Sequence, residues 1–310
     1  MGSPRVVRRW PVILIGCLYG VCAIWLLASR VEILWSSLML PALGFAGLTG
    51  LFLSLRLAEG RAQSGPLTEL LPMLRSLTGC LLFMQWAWLP LRVLNHLGMT
   101  TALPYQDALL ADWDRALNFD WPGYFGMVAA SLPLIQVLDV SYTSLTPVSI
   151  LALLALVAAR RPVQARLFVE SFLVTAMVCI VVGPVFPALG AVAYHGITAA
   201  EVAAFPLAPG VYHLPHMDAL RAATGPIVLD AAYLPGLVTF PSFHTAVGVL
   251  LILVCRGTWM MIPASAYSVI MIASTPIFGG HFIIDLPAGA LAALAGYAVA
   301  IRLGSRTTSR

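Results

Sequence analysis

Long uninterrupted apolar segments constrain the fold of this chain more than any other feature. Of its 310 residues, 60% are hydrophobic and only 10% are charged, whereas soluble domains have about 25% charged residues. A run of about 20 apolar residues is long enough to cross the hydrocarbon layer of a bilayer. Lipid offers no hydrogen-bonding partner to an open backbone, so these runs must be helical. The composition therefore predicts an all-α, polytopic membrane helix bundle.

Eight segments are long and apolar enough to be predicted as transmembrane helices. They are residues 10–28, 34–55, 76–97, 134–158, 166–186, 241–255, 259–278 and 283–301. All 17 basic residues are arginine, and basic residues concentrate in cytoplasmic loops. With the N terminus inside, the only arginines placed outside are Arg30, Arg92, Arg115 and Arg221. We therefore expect an integral protein of the plasma (inner) membrane with both termini in the cytoplasm.

Two long loops face the outer side in this arrangement, at residues 98–133 and 187–240. In the first loop, apolar residues between 109 and 117 recur at helical spacing opposite acidic residues, which predicts an amphipathic helix lying on the membrane. Asn118 is predicted to end this helix, and Trp121 to begin another. The second loop is rich in proline but apolar, so we expect an ordered cap over the outer face.

Two short motifs stand at the beginnings of apolar segments. They are Thr-Phe-Pro-Ser-Phe-His-Thr at residues 239–245 and Gly-Gly-His-Phe-Ile-Ile-Asp at residues 279–285. The chain between them is predicted to cross the membrane and return, so His244 and His281 should emerge on the outer side at the same depth. His281 and Asp285 are four residues apart, a spacing that places both side chains on one helix face within hydrogen-bonding reach.

These residue types suit phosphate chemistry. Free N–H groups and the positive dipole end of a helix N terminus favour an anion. Ser242 lies in the first turn of a helix predicted to begin at the preceding proline, and Gly280 lets the backbone approach a ligand closely. Asp285 would fix the tautomer of His281, which would attack phosphorus and form a phosphohistidine. His244 would protonate the leaving oxygen and later activate the acceptor.

The two motifs carry a family resemblance. Pro-Ser-Phe-His at 241–244 and His-Phe-Ile-Ile-Asp at 281–285 resemble the second and third signature motifs of the type-2 phosphatidic acid phosphatase (PAP2) superfamily. Four other features are similar to the inositol phosphorylceramide synthase-like branch of this superfamily. They are Phe243, the Gly-Gly before the second histidine, residues 112–121 and Leu220-Arg221. The resemblance implies a catalytic set of His244, His281 and Asp285 on the outer, periplasmic face, working without metal or cofactor.

The resemblance covers about residues 76–310, so it implies a division of the chain. Residues 1–60 would be two additional transmembrane helices, and residues 61–310 a six-helix catalytic core. The superfamily's first motif supplies basic residues that bind phosphate, but the matching stretch at 183–190 has none. Thr275 also replaces an arginine expected six residues before the histidine of the third motif.

Another arginine must therefore contribute to phosphate binding. Guanidinium groups suit this role because they can bind two phosphate oxygens at once. We expect Arg221 to bind the phosphate, with Arg115 and Arg92 as the alternatives, together with Ser242 and Gly280 at the helix N termini.

Two other pairs of residues have the appearance of metal ligands. His213 and His216 are suitably spaced, but Pro215 interrupts the helix that would present them and no third ligand lies nearby in the sequence. Asp112 and Asp114 would diverge on their predicted helix. We therefore expect no metal, and the absence of a basic run with interleaved aromatic residues gives no indication of nucleic acid binding.

The predicted function is chemistry on a lipid-linked phosphate, with a phospholipid or lipid phosphate as donor. A lipid alcohol as acceptor would make the enzyme a head-group transferase of the inositol-phosphate type, which the resemblance favours, and water would make it a phosphatase. A transporter with a histidine proton relay would need polar residues deep in several helices. A non-catalytic scaffold would give no reason for the histidines to coincide. The sequence makes no prediction of oligomeric state.

Overall fold

The computed structural model describes residues 8–62, 64–198, 200–206 and 209–305. Over these residues the chain is a bundle of helices with almost no sheet. The helices are α1 (Arg9–Ala28), α2 (Met39–Arg61), α3 (Leu67–Met99), α4 (Asp107–Ala116), α5 (Trp121–Ala129), α6 (Leu132–Thr143), α7 (Leu145–Ala158), α8 (Pro162–Val182), α9 (Ala191–Tyr194), α10 (Leu214–Ala222), α11 (Phe243–Cys255), α12 (Met261–Phe278) and α13 (Asp285–Ser305). The strands are β1 (Val31–Ile33) and β2 (Ile227–Leu229), and 3-10 turns occupy Trp35–Leu38 and Gly183–Val185. Three arginines assigned to the cytoplasmic side, Arg5, Arg306 and Arg310, lie outside the described residues.

Six stretches of the described chain are long and apolar enough to cross a membrane. They are Arg9–Ala28, Trp35–Arg61, Leu67–Met99, Pro162–Val185, Met261–Phe278 and Asp285–Gly304. The predicted polytopic membrane bundle is therefore confirmed. The sequence predicted about eight spans, some of them short, and the other two predicted segments form shorter helices.

The shorter helices have identifiable causes. Segment 134–158 is divided, since α6 ends at Thr143 and α7 begins at Leu145. Pro147 has no N–H, and its ring crowds the carbonyl four residues earlier, which is that of Thr143. Segment 241–255 contains α11, whose 13 residues extend over about 20 Å. In the described chain, α5 and α6 are bent by 109° relative to each other and could together make a seventh span.

Contacts between helix ends define two ends of the bundle. Arg75 pairs with Glu59, and Arg160 pairs with Glu69, so the start of α3 lies beside the ends of α2 and α7. The start of α8 is hydrogen-bonded to the residue that follows α11, which places the end of α11 there too. The opposite end, where α3 and α8 finish and α11 and α13 begin, is the site end. Both histidine motifs lie at the site end, as predicted.

The last helix packs closely against α8. A side chain at Gly296 would meet Thr175 Oγ1 at 2.2 Å, so only glycine allows the two backbones to approach this far. Near the other end of this contact, Arg8 Nη1 donates hydrogen bonds to Glu170 Oε2 at 3.1 Å and to the Ala300 carbonyl at 3.2 Å. A buried carboxylate needs such a partner. The two hydrogen bonds of Arg8 join the start of the described chain to α8 and to the last helix.

A short parallel ladder, which was not predicted, joins the N-terminal helices to the cap. β1 pairs with β2, with Val31 opposite Ile227. Beside the ladder, Arg30 Nη1 donates a hydrogen bond to the Thr224 carbonyl at 2.6 Å. Because β1 connects α1 to α2 and β2 leads towards residues 239–245, the N-terminal helices are attached directly to the segment that enters the first histidine motif.

Candidate active site

The loop between α12 and α13 holds His281. The residue precedes α13, which begins at Asp285, so the prediction that both side chains share a helix face is wrong. The predicted hydrogen bond is nevertheless present, because His281 Nδ1 lies 2.9 Å from Asp285 Oδ2. The same carboxylate oxygen accepts a hydrogen bond from the Phe282 N–H at 3.1 Å. The loop folds back onto the first residue of the helix, and the carboxylate fixes the orientation of the imidazole.

The His281–Asp285 pair is almost fully buried, with exposed fractions of 3% and 0%. Burial lowers the pKa of His281 to about 4, and a hydrogen bond to the Thr239 backbone acts in the opposite direction. The imidazole is therefore neutral near pH 7, which is the protonation state that a nucleophile requires.

Direct contacts hold the two histidine motifs together. The Ser242 N–H donates a hydrogen bond to the Asp285 carbonyl at 3.0 Å. A side chain at Gly289 would meet the Ser242 carbonyl at 2.2 Å, so glycine is required where α13 passes the start of α11. The relative position of the two motifs is thus determined by backbone contacts.

Ser242 is the N-cap of α11. Its hydroxyl oxygen accepts a hydrogen bond from the Thr245 N–H at 3.3 Å, which is the usual role of serine at this position. The helix begins at Phe243 and not at Pro241 as predicted, and the Phe240–Pro241 peptide bond is cis. Ser242 is fully buried, and the structure does not bring it to the wall of the cavity described below.

His244 lies in the first turn of α11 with its ring against an aromatic neighbour. The ring stacks on Tyr142 with a centroid distance of 4.1 Å and an interplanar angle of 12°. The Tyr142 hydroxyl is 3.3 Å from that of Tyr212, which belongs to the cap. The stack between α11 and the end of α6 restricts how the imidazole can turn.

Both histidines lie on the wall of one cavity of about 740 Å³. Its polar part is lined by Arg92, Asn95, Tyr142, Tyr212, His213, Thr239, His244 and His281. Its apolar part is lined by residues of α2, α3, α7 and α8, among them Leu48, Leu81, Met84, Trp88, Ile150, Phe172 and Ile180. A cavity with one polar and one apolar part matches an amphiphilic ligand.

The structure brings one of the three candidate arginines to this cavity. Arg92 lies on its wall, where Nη1 donates a hydrogen bond to the Leu234 carbonyl at 2.6 Å. Arg221 instead donates to a loop carbonyl at 2.6 Å, and its guanidinium lies 4.0 Å from the centroid of the Tyr105 ring. Arg115 is exposed and pairs with a carboxylate on its own helix. Neither Arg221 nor Arg115 lines the cavity.

Gly280 serves the contact between the His281 loop and the cap. Its φ is +68°, and a side chain there would meet the Gly210 carbonyl at 2.5 Å. Its own carbonyl accepts a hydrogen bond from the Ala191 N–H at 2.7 Å. The close approach at Gly280 is made to the cap backbone, whereas the sequence predicted an approach to a ligand, and Gly280 does not line the cavity.

The amphipathic helix α4 supports the His281 loop, a role that sequence reasoning missed. Asp114 Oδ2 and Oδ1 accept hydrogen bonds from the N–H groups of Ile283 and Ile284 at 2.8 and 2.9 Å. Trp121 Nε1 donates a hydrogen bond to the His281 carbonyl at 3.1 Å. N–H groups at the entry to a helix need acceptors, and the side chains of Phe282, Ile283 and Ile284 offer none. This is the signal that could have revealed a distant carboxylate.

The environment of Asp114 shows that it is part of the site's support. Only 3% of its surface is exposed, whereas the sequence placed the acids of α4 on its polar face. Burial raises the pKa of Asp114, and the hydrogen bonds from Ile283 and Ile284 act in the opposite direction. Asp112, two residues earlier, is exposed and pairs with Arg115.

We expect Asp114→Asn to lower turnover by about 10- to 100-fold. The change replaces one of two acceptor oxygens with a donor facing an N–H group, and a hydrogen bond to a charged group is worth about 1.5–3 kcal/mol. Asp112→Asn is the matched control and should leave turnover within about twofold. The rates of both purified variants on one lipid phosphate provide the measurement, and equal rates for the two would contradict this role of Asp114.

The chain was compared with known protein families, curated proteins and solved structures. A family model described as PAP2 superfamily matches residues 108–299, which is more than half of the chain and includes both histidine motifs. No curated protein and no solved structure was found to match the chain.

Proposed function

Because this chain belongs to the PAP2 superfamily, whose members are phosphatases and phosphotransferases, we propose that it transfers a phosphate-linked head group from a phospholipid to a lipid hydroxyl. Its family supports action on lipid phosphates. The observation that carries the finer proposal is the cavity, in which two histidines and an arginine line the polar part and helices supply an apolar part. The alternative acceptor is water, which would make the enzyme a lipid phosphate phosphatase.

The reaction follows from the positions of the side chains. In the first step the bound anionic phosphate keeps His244 protonated. The His281 lone pair attacks phosphorus, the bond from phosphorus to the lipid oxygen breaks, and His244 gives its proton to that oxygen. In the second step His244 removes a proton from the acceptor hydroxyl, whose oxygen attacks phosphorus and releases His281. Asp285 stabilises the charge that develops on His281, and Arg92 binds the phosphate oxygens.

The charges around the cavity favour particular head groups. Among the described residues, no carboxylate lines the cavity, so a cationic head group such as choline or ethanolamine would find no counter-charge. Arg92 and the hydroxyls of Tyr142 and Tyr212 suit an anionic phosphate with a neutral polyol attached. These features support a head group of the inositol-phosphate type.

The location of the reaction is also part of the proposal. The distribution of arginine supports a plasma (inner) membrane protein with both termini in the cytoplasm. The site end would then face the periplasm, where α4 and the cap would lie at the interface between lipid and water. Cysteine labelling of intact cells at Glu201, an exposed residue of the cap, tests this orientation.

A panel of phospholipids, assayed with and without an added lipid alcohol, tests the function. We expect a product carrying the head group when the alcohol is present, and no effect of EDTA. Release of free phosphate alone, at the same rate with and without alcohol, would establish the phosphatase alternative. Loss of activity with EDTA would contradict the metal-independent mechanism.

Arg92→Ala should raise KM for the lipid by about 10- to 100-fold, because hydrogen bonds to a charged group are worth about 1.5–3 kcal/mol. Arg92→Lys keeps the charge but cannot bind two oxygens in the same plane, and it should restore only part of the affinity. Arg221→Ala is the control, and its KM should stay within about twofold. A raised KM in the Arg221 variant, with Arg92→Ala unchanged, would support the expectation made from the sequence.

A further inference from the structure

The apolar part of the cavity extends deep into the helix bundle. Along α3, the wall includes residues from Asn95, at the polar end, back to Leu81. At about 1.5 Å per residue this separation corresponds to about 20 Å. One leaflet of a bilayer provides about 15 Å of hydrocarbon. The pocket is therefore long enough to hold a lipid chain along much of its length.

The N-terminal helices contribute to this pocket. Leu48 of α2 lies on the cavity wall, as do Met84 and Gln85 of α3. α2 packs along α3, where Gln85 Nε2 donates a hydrogen bond to the Pro41 carbonyl at 3.5 Å. Most other apolar side chains of α2 point away from the bundle, as shown by Leu43, which is 64% exposed. Leu48 instead faces the bundle and borders the space that a lipid chain would occupy.

The cavity is continuous from the histidines to Leu48. A substrate whose phosphate lies between His244 and His281 must direct its chains away from the polar groups. The apolar walls offer that direction, and the burial of each methylene of the chain is favourable. A lipid with a phosphate head group fits both the polar and the apolar part of the same space.

We propose that α2 forms a wall of the lipid-chain pocket and that Leu48 determines which chain lengths the enzyme accepts. This inference rests on the proposed function for the position of the phosphate. It assigns the N-terminal helices a part in substrate selection in addition to anchoring. A bulkier residue at this position should shorten the pocket, and a smaller one should widen it.

The test is a chain-length profile of the purified full-length protein. Wild type, Leu48→Trp, Leu48→Ala and the outward-facing control Leu43→Trp are assayed on one phospholipid with chains of 8, 12 and 16 carbons, at equal surface dilution in detergent. The quantity compared is kcat/KM for the 16-carbon chains divided by kcat/KM for the 8-carbon chains. We expect Leu48→Trp to lower this ratio about 10-fold. Leu43→Trp should keep the wild-type ratio, and Leu48→Ala should keep or raise it. Equal ratios in Leu48→Trp and wild type would overturn the proposal.

A second measurement does not depend on turnover. A lipid phosphate with a photoreactive diazirine at the end of its chain is bound to the wild-type protein. The complex is irradiated, and the sites at which the lipid attaches to the protein are mapped by mass spectrometry. Attachment to α2 and α3 near Leu48 and Met84 supports the pocket even if no lipid is turned over, in which case only the proposed function fails. Attachment confined to outward-facing residues such as Leu43 would overturn the pocket, whatever the activity.

Discussion

His281→Ala should abolish both turnover and the covalent phosphoenzyme. The nitrogen that forms the bond to phosphorus is lost, and the buried carboxylate of Asp285 is left without its imidazole partner. Loss of a nucleophile that acts together with its partners costs at least about 10³-fold in rate. The measurement is turnover of a radiolabelled phospholipid, combined with acid quenching and a test for the acid-labile, base-stable label that is typical of phosphohistidine.

The control for this experiment is another histidine at the site end of the bundle. His195 stacks on Trp121 with a centroid distance of 4.9 Å and does not line the cavity. His195→Ala should retain the label and most of the turnover. Label retained by His281→Ala would show that the nucleophile is elsewhere, and His244 would then be the next residue to examine.

His244→Ala should lower the rate with a natural lipid by about 10²- to 10⁴-fold, the usual contribution of general acid–base catalysis. The loss should depend on the leaving group, because an alkyl alkoxide requires a proton whereas nitrophenolate leaves without one. With a nitrophenyl phosphate ester, the variant should therefore form the phosphoenzyme at close to the wild-type rate and then accumulate it, since no base activates the acceptor.

The stacking partner of His244 provides a matched comparison. Tyr142→Phe keeps the ring that lies against His244 and removes only the hydroxyl near Tyr212. It should reduce the rate much less than His244→Ala and show no special dependence on the leaving group. An equal loss with both esters in His244→Ala would contradict its role as the acid, and would indicate a role in binding or folding.

The sequence predicted those features that follow from local patterns. Apolar length indicated a membrane bundle, and the two intervening apolar segments correctly placed His244 and His281 at one end. The spacing of His281 and Asp285 correctly predicted their hydrogen bond, but for a wrong reason, because the loop folds onto the helix start. Helix spacing and a folded-back loop both bring residues four apart into contact, so the pattern alone could not distinguish them.

Features that depend on distant contacts could not be predicted in this way. Arg92 lies within a segment that reads as a continuous apolar span, and nothing local shows that its side chain reaches a cavity. The hydrogen bonds from Ile283 and Ile284 to Asp114 join residues about 170 positions apart. Arg221 precedes the motif in the sequence, yet the fold of α10 directs its guanidinium to Tyr105. In each case the tertiary arrangement determines the role.

The parallel ladder between β1 and β2 has a consequence for how the protein can be dissected. A boundary near residue 60 appears natural along the chain, yet a fragment that starts there would lose β1 while keeping β2, whose backbone groups would then lack their partners. Leu48 would be lost from the same fragment, which would open the cavity to surrounding lipid. We therefore expect a fragment that begins near residue 60 to be less stable than the full chain, and any shortened version of the protein made for biochemistry should retain α1.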